Sequence, residues 1–186
     1  DTIATHKVLS SPDAPERAIL QGINEMQITL DESLHVIHGS TVATNAVLEG
    51  KGVKTAYVTN RGFKDVLTIG RQARRELYNL TPKPVPPPVP SELCLETGGR
   101  IAADGEVLEP LTEDDISELL AALDSLKPAA IAINLLFSYL DDRFERQLAE
   151  AIGDRAFVSS SSRVLPVYRE YERGITTWLN AYVGPL

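Results

Sequence analysis

The sequence is poor in cysteine and in positive charge, and each shortage excludes a class of protein. Its single cysteine, Cys94, cannot form an internal disulfide or a structural zinc site, which favours a reducing compartment. Cys94 lies in an apolar run, where an inert core thiol is a better interpretation than a nucleophile. The net charge is -8, and no cluster of lysine and arginine relieves it. We therefore expect neither nucleic acid nor a membrane surface as a partner.

Long apolar runs and the common catalytic motifs are also missing. No run approaches the roughly 18 to 20 residues that cross a bilayer, and the first residues lack the pattern of a signal peptide, so we expect a cytoplasmic protein. The sequence contains no GxxxxGK[ST], GxGxxG, GxSxG or HExxH motif. His35 and His38 would point to opposite faces of a strand, and with His6 they make no convincing ligand set. No metal site is predicted.

The residues that are present predict an α/β fold. A strand over residues 34–38, a helix over 42–49 and a strand over 54–59 follow one another with tight connections, which is the βαβ pattern of a parallel sheet. The other predicted helices cover residues 12–26, 62–78, 112–126, 141–152 and 168–182, and the other strands cover residues 3–9, 93–97, 99–102, 106–108, 129–136 and 156–158. This order indicates a mostly parallel sheet flanked by helices.

Two segments interrupt that pattern. Residues 93–108 carry a glycine pair and an Asp-Gly turn, so we predict a small antiparallel β-rich insertion there. Before it, residues 81–90 contain six prolines, which exclude a helix or a central strand and predict an extended, polyproline-like segment. A stiff connector is favoured over a docking ligand for a proline-binding module.

The first candidate site is the run His38-Gly39-Ser40-Thr41, between a predicted strand and a predicted helix. In open α/β sheets, ligands collect at the carboxyl ends of the strands. Glycine lets a backbone approach a ligand, hydroxyls donate hydrogen bonds, and the free amides of a helix start attract anions. On the local pattern alone, a different interpretation is favoured, in which Ser40 or Thr41 caps the helix and His38 packs at its end.

The second candidate is Arg71 with Gln72, because the planar guanidinium of arginine suits a carboxylate or a phosphate. Arg74 and Arg75 follow closely, and three arginines so near one another usually form a solvated face. That interpretation is favoured by the pattern alone.

The third candidate is a polar set on the last predicted helix, spaced by three or four residues and off its apolar stripe: Glu170, Arg173, Thr177 and Asn180. A glycine inside a helix costs about 1 kcal/mol relative to alanine, so Gly174 suggests close packing against something. An exposed polar face is the simpler alternative.

Several runs of the sequence match one family pattern in order, namely residues 5–8, 11–12, 38–49, 62–67, 69–72, 76–80, 170–173 and 176–183. Together these runs resemble the amino-terminal domain of the hydantoinase A / 5-oxoprolinase family, which includes N-methylhydantoinase and the acetone carboxylase subunits. The resemblance covers essentially the entire chain.

The resemblance implies one lobe of an actin-like, sugar-kinase-like ATPase fold that uses ATP with Mg²⁺. It implies the opening of a small cyclic amide, such as hydantoin or 5-oxoproline, in which ATP would phosphorylate the amide oxygen and so activate it towards water. The implied partners are the remainder of the polypeptide and a hydantoinase B-type subunit or domain. No catalytic residue is assigned, and Arg71 is placed near a phosphate or a substrate carboxylate. The candidates for the cleft are His38, Gly39, Ser40, Thr41, Asn45, Arg71 and Gln72.

The chain also departs from the family pattern. The Gly-Gly-Thr-Phe-Thr-Asp phosphate loop that would precede residues 5–8 is missing, as is the lobe that would follow Tyr182. Ser40 stands where threonine is expected, which preserves the hydroxyl. We therefore expect residues 1–186 to be a fragment that cannot complete an ATP site alone. Two alternatives remain open: a subunit of an ATP-dependent ketone carboxylase, and a non-catalytic domain that binds a partner through its proline run or its last helix.

Overall fold

The computed structural model describes residues 3–11, 14–28, 35, 37, 39, 41–73, 78–81 and 86–186. The chain divides into two compact units, Asp1–Ser40 and Thr41–Leu186. In the first unit, helix α1 spans Pro15–Glu25. Its first residue is a proline, whose missing N–H is not needed in the first turn of a helix. The helix predicted over residues 12–26 is therefore confirmed within the described residues.

The strand predicted over residues 3–9 is wrong. Residues 3–11 adopt no regular secondary structure and are mostly exposed. An extended segment becomes a strand only when a neighbour completes its backbone hydrogen bonds. His6 instead forms a side-chain hydrogen bond with Glu25, at the end of α1.

The described part of the second unit contains six strands. Four of them form a parallel sheet in the order β2-β1-β5-β6. Strands β3 and β4 form a separate antiparallel ribbon. The central strands β1 and β5 are buried along their whole length, which explains why their apolar runs show no alternation. The strands are β1 Thr55–Asn60, β2 Cys94–Thr97, β3 Arg100–Ile101, β4 Val107–Glu109, β5 Ala130–Asn134 and β6 Phe157–Ser160.

Helices cover both faces of the parallel sheet. On one face, α4 and α5 bury leucine and isoleucine side chains such as Leu123 and Leu148 against β1 and β5. On the other face, Leu67 of α3 and Trp178 of α7 pack around Tyr57. The helices of this unit are α2 Val42–Leu48, α3 Val66–Ile69, α4 Glu113–Leu126, α5 Arg143–Ile152, α6 Ser161–Val164 and α7 Glu170–Val183.

Helix α4 begins where its sequence predicts. The Asp115 N–H donates to the Thr112 hydroxyl at 3.1 Å, and the Thr112 N–H donates to the Asp115 carboxylate at 2.9 Å. This reciprocal capping box satisfies two backbone donors that a helix start would otherwise leave free.

The long helix predicted over residues 62–78 is wrong, because only Val66–Ile69 is helical in its described part. Gly62 and Gly70 have φ angles of 82° and 57°. Backbone in this left-handed region interrupts an α-helix, so the two glycines limit α3 to one turn. Residues 74–77 lie outside the described residues.

The prediction that residues 93–97 belong to the antiparallel insertion is also wrong. Residues 94–97 form β2, an edge strand of the main sheet, which pairs in parallel with β1 and places Cys94 opposite Tyr57. Among the strands in the described part of the chain, only β3 and β4 pair in antiparallel fashion. Local sequence indicates that a segment is extended, but its pairing partner is set by tertiary packing.

Two further predictions are tested only in part. In the strand predicted over residues 34–38, only His35 and Ile37 are described, and neither lies in a strand. The following helix and strand of the βαβ pattern are confirmed as α2 and β1. In the proline run, residues 86–90 are neither helix nor strand, as expected for a connector, and Val89 is buried in the core. Residues 82–85 lie outside the described residues.

Candidate functional site

The strand order marks one place on the sheet where a ligand is expected. From β1 the chain moves to β2 on one side, and it then returns to β5 and continues to β6 on the other side. The carboxyl ends of β1 and β5 therefore flank a topological switch point, where open α/β sheets bind their ligands. The last residues of these strands are Asn60 and Asn134.

Asn60 joins the ends of three neighbouring segments. Its Oδ1 accepts a hydrogen bond from the Leu136 N–H at 2.7 Å, and its Nδ2 donates to the Gly98 carbonyl at 3.3 Å. The hydroxyl of Thr59 donates to the Asn134 carbonyl at 2.9 Å. Because these groups are buried, their hydrogen bonds fix the carboxyl edge of the sheet.

Arg173 of α7 lies at the switch point and has no exposed surface. Its Nε donates to Asn134 Oδ1 at 2.9 Å, and its Nη2 donates to the Leu135 carbonyl at 2.6 Å. Nη2 also forms an ion pair with the Glu170 carboxylate. The guanidinium lies 5.3 Å from the ring centre of Tyr139. A buried guanidinium needs several hydrogen-bond or ion-pair partners, because burying an unpaired charge costs a large amount of free energy.

Tyr57 and Gly174 complete this network. The Tyr57 hydroxyl accepts a hydrogen bond from Asn134 Nδ2 at 2.8 Å. Burial raises the pKa of Tyr57 to about 12, so the hydroxyl stays protonated at neutral pH. A Cβ atom on Gly174 would lie 2.8 Å from both the Tyr57 hydroxyl oxygen and Asn134 Nδ2. Glycine is therefore needed at this point of α7 for the helix to approach the sheet.

Glu170 is the member of the network that reaches the surface, with 26% of its side chain exposed. Burial raises the pKa of Glu170 above its ordinary value, while the Arg173 guanidinium and the Phe137 amide act in the opposite direction. A partly buried carboxyl with a perturbed pKa at a switch point is typical of a functional site.

A second buried charged residue, Glu145 of α5, binds the segment that follows β5 from the opposite face of the sheet to Arg173. Its Oε1 accepts hydrogen bonds from the Leu135 N–H at 3.0 Å and from the Ser161 hydroxyl at 2.6 Å. Its Oε2 accepts from the N–H and the hydroxyl of Ser162, at 2.9 and 2.7 Å. The peptide groups of Leu135 are therefore bound by Glu145 through the N–H and by Arg173 through the carbonyl.

The loop after β5 contains a strained residue. Phe137 has a φ angle of 57°, in the left-handed region that bulky side chains rarely adopt. Such a conformation costs on the order of 1–3 kcal/mol and persists only where the surroundings impose it. Asn60, Glu145 and Arg173 supply that constraint just before Phe137.

The described residues of the first sequence candidate lie at the start of α2. Asn45 Nδ2 donates to the Thr41 hydroxyl at 3.5 Å, and both residues are exposed, as is Gly39. Thr41 occupies the N-cap position but accepts no side-chain capping bond, so a capping role for Thr41 is not confirmed. His38 and Ser40 lie outside the described residues.

Arg71 and Gln72 lie elsewhere, beside the start of α7. Arg71 Nε donates to the Glu172 carboxylate at 2.7 Å and is 65% exposed, and Gln72 is exposed with a φ angle of 54°. In the described residues, no hydrogen bond or ion pair connects these two residues to Thr41 or Asn45. An exposed arginine is consistent with the solvated face that the pattern favours.

A shallow groove of about 400 Å³ lies between α2 and α7. Its lining is mainly apolar, with Val47 and Leu48 on α2 and Leu179 and Val183 on α7. Thr44 and Asn180 add polar atoms. The run that contains Thr41 and Asn45 therefore leads directly into one wall of this groove.

The described residues include no group of three or more His, Cys, Asp or Glu side chains that could hold a metal ion. Their one arginine among the cleft candidates is already paired with Glu172. The same residues contain no helix long and apolar enough to cross a membrane.

The polar set on the last helix is divided, because Arg173 and Thr177 are buried, Glu170 is partly exposed and Asn180 is exposed. Its interpretation as an exposed face is therefore wrong for Arg173 and Thr177. Arg173 and Thr177 have no exposed surface, and the Thr177 hydroxyl donates to the Arg173 carbonyl at 2.6 Å. The sequence signal was Gly174, which correctly indicates close packing. Asn134, Tyr57 and Glu145 carry no comparable local signal, because each lies in an ordinary strand or helix pattern.

Cys94 behaves as expected for a structural thiol. It is half-buried at the start of β2. Burial raises the pKa of the Cys94 thiol to about 11, so little reactive thiolate is present at neutral pH.

Comparison with known proteins identifies relatives in sequence and in fold. Residues 1–155 match the family described as the hydantoinase/oxoprolinase N-terminal region. The caprolactamase subunit alpha of Pseudomonas jessenii is 34% identical over 155 residues, covering 81% of this chain and 22% of that protein. The 5-oxoprolinase 1 of Arabidopsis thaliana is 30% identical over 181 residues, covering 86% of this chain and 14% of that protein. The chain thus spans less than a quarter of either relative.

Solved structures show the same likeness. The ATP-dependent caprolactamase from Pseudomonas jessenii has a TM-score of 0.75 and 32% identity, over 95% of this chain and 27% of that one. An acetone carboxylase in a nucleotide-free structure has a TM-score of 0.83 and 25% identity, over 96% of this chain and 28% of that one. Both confirm the α/β fold with a parallel sheet flanked by helices.

Proposed function

Because the chain belongs to the hydantoinase/oxoprolinase family, we propose that it is a domain of an ATP-dependent hydrolase that opens small cyclic amides. The observation that carries this proposal is the likeness to the ATP-dependent caprolactamase, which covers 81% of the chain in sequence and 95% in fold. The similarity to a 5-oxoprolinase supports the same substrate class. Hydantoin, 5-oxoproline and simple lactams are the substrates to test.

In this proposal the chain contributes part of a cleft, and the rest comes from elsewhere in a longer polypeptide. The proposed contributors are His38, Gly39, Ser40, Thr41 and Asn45, which precede α2 or belong to it in the sequence. The exposed hydroxyl of Thr41 and the neighbouring amide of Asn45 support this role, because both can donate to phosphate or carbonyl oxygens. Arg71 and Gln72 are proposed to approach a phosphate or a substrate carboxylate, which requires Arg71 to exchange its partner Glu172.

ATP, when bound, would supply the phosphoryl group that activates the amide, and Mg²⁺ is proposed to accompany it. The proposed scaffold is one lobe of an actin-like ATPase, with residues 1–186 as part of its amino-terminal domain. A hydantoinase B-type subunit or domain is the proposed partner, supported by relatives that are themselves named as subunits, a caprolactamase alpha and an acetophenone carboxylase gamma. The cytoplasmic location stays a prediction.

One observation favours a second function, an ATP-dependent ketone carboxylase subunit. The TM-score with the acetone carboxylase is 0.83, higher than the 0.75 with the caprolactamase, although its sequence identity is lower. The two activities share a scaffold, so the fold does not separate them. They differ in the second substrate, which is water for the hydrolase and bicarbonate for the carboxylase.

The test is calorimetric titration of Mg-ATP into this chain and into the protein extended to the length of its relatives, followed by assays of ADP release. We expect binding and cyclic-amide-dependent ADP release from the extended protein. ADP release that requires bicarbonate and a ketone would establish the carboxylase instead. Absence of ATP binding by both proteins would refute the two ATP-dependent functions and leave a partner-binding domain.

A further inference from the structure

Helix α2 has little packing to stabilise it. It contains seven residues, Val42–Leu48, of which only Ala46 is buried. Isolated helices shorter than about 12–15 residues are marginal in water, so a helix this short depends on the packing of its apolar side chains. Val47 and Leu48 are instead 37% and 79% exposed. Within the described residues, α2 therefore lacks the cover that so short a helix needs.

These two side chains lie in one wall of the groove between α2 and α7. The other wall is the side of α7 that carries Leu179 and Val183, one helical turn apart. None of the described lining residues is charged, although 24% of the chain is. Depletion of charge is typical of the buried core of a protein interface. Small-molecule sites enclose most of their ligand, so a polypeptide segment fits this shallow groove better than a small ligand does.

The size of the groove favours a segment of the same polypeptide over a second copy of the chain. A stable interface between separate proteins buries about 1,200–2,000 Å² in total and must offset the loss of free translation and rotation. A groove of about 400 Å³ is small for that. A linked segment has an effective concentration on the order of mM, so it can dock on a smaller surface. The relatives contain such polypeptide, because this chain covers 22% of the caprolactamase subunit alpha and 27% of the solved caprolactamase chain.

We propose that the groove between α2 and α7 is covered by an apolar segment of the same polypeptide from outside residues 1–186. This inference rests on the part of the proposed function that places the chain in a longer protein. Docking of the segment would bury Leu48 and complete the packing of α2. Thr41 is the N-cap residue of α2 and Asn45 belongs to the helix, so the segment would also hold two of the proposed cleft residues in place.

The experiment uses the protein extended to the length of its relatives and identifies what lies against Leu48. The photo-crosslinking amino acid p-benzoylphenylalanine replaces Leu48 in one variant and Leu108 in another. Leu108 is the matched control, because it is also an exposed leucine, at 56%, and does not line the groove. After irradiation, gel electrophoresis separates crosslinks within one chain from those between two chains, and peptide mapping identifies the partner. Urea unfolding checks that each variant folds.

We expect position 48 to crosslink within one chain to a peptide from outside residues 1–186, and position 108 not to join that peptide. In a second measurement, Leu48→Cys should react with a maleimide at least about tenfold more slowly than Leu108→Cys, because the segment must first open. Peptide mapping reads the rate at each position.

Three results would overturn the inference. A crosslink between two chains would identify a second copy as the occupant, and a crosslink confined to residues 1–186 would show that the chain covers its own groove. Equal maleimide rates at positions 48 and 108 would show that the groove is open. Turnover is measured separately on the wild type, so a protein that opens no cyclic amide would refute the proposed function and leave the crosslinking result to be judged by itself.

Discussion

Gly174→Ala sets helix propensity against packing in a single substitution. In an unobstructed helix this change stabilises by about 1 kcal/mol. At position 174, however, the new Cβ would lie 2.8 Å from Tyr57 Oη and Asn134 Nδ2 and 3.2 Å from a methyl of Leu67. These neighbours are buried, and the first two are hydrogen-bonded to each other. Neither can withdraw without breaking that bond or displacing α7.

The magnitude follows from the competing terms. Overpacking a core costs about 1–3 kcal/mol, and loss of the Asn134–Tyr57 hydrogen bond adds about 0.5–1.5 kcal/mol. Subtracting the gain of about 1 kcal/mol in helix propensity leaves a destabilisation of about 0.5–3.5 kcal/mol. Urea unfolding followed by the fluorescence of Trp178, the single tryptophan and a residue of α7, measures it directly.

Gly22 provides the matched control, because it is also inside a helix but meets only a Val8 methyl at 3.9 Å. Gly22→Ala should raise the free energy of opening of α1 by up to about 1 kcal/mol, which slows hydrogen exchange of the α1 amides. In a Tyr57→Phe background, part of the penalty at position 174 should disappear, because one of the two closest atoms is gone. A Gly174→Ala protein as stable as the wild type would refute the packing argument.

Three further predictions concern single side chains. Glu145→Gln should destabilise the chain by about 1–3 kcal/mol, because a carboxamide cannot accept from all four donors that surround this carboxylate; an unchanged urea midpoint would contradict this. Cys94 should react slowly with a disulfide reagent at pH 8 and rapidly in urea. Burial raises the pKa of its thiol from 9.0 to about 11, so the reactive thiolate forms only as the pH approaches that value. Equal rates in the two conditions would contradict this prediction. Arg71→Ala and Ser40→Ala should lower ATP-coupled turnover of the extended protein. Arg71→Ala should change stability by less than about 1 kcal/mol, since its ion pair with Glu172 is exposed. Unchanged kcat and KM in both variants would remove these two residues from the cleft.

Sequence patterns predicted the elements that have strong local signals. The capping residues Thr112 and Asp115 located α4, and the continuous apolar run before Leu135 located β5. Patterns failed where the outcome depends on distant residues. Residues 94–97 would be extended both in the predicted antiparallel insertion and in the observed parallel sheet. Their pairing with β1 is what makes them part of the parallel sheet.

The site was predictable only in part for the same reason. Gly174 indicated that the polar side of α7 packs closely, but its neighbours Tyr57 and Asn134 lie 117 and 40 positions earlier in the chain. Periodicity reports which residues share a helix face and does not report whether that face is buried. The placement of Arg173 at the end of β5 therefore required the tertiary structure.

The two buried charges on the Leu135 segment are better explained by positioning than by stability. Replacing a buried ionic group with apolar residues is often neutral or stabilising, so Glu145 and Arg173 are not an efficient way to hold a core together. They do, however, bind the N–H and the carbonyl of Leu135 from opposite sides of the sheet. That arrangement fixes the direction in which the chain leaves β5 and imposes the strained backbone of Phe137. Under the proposed function, a constrained loop at the switch point would help to hold a small substrate in one orientation.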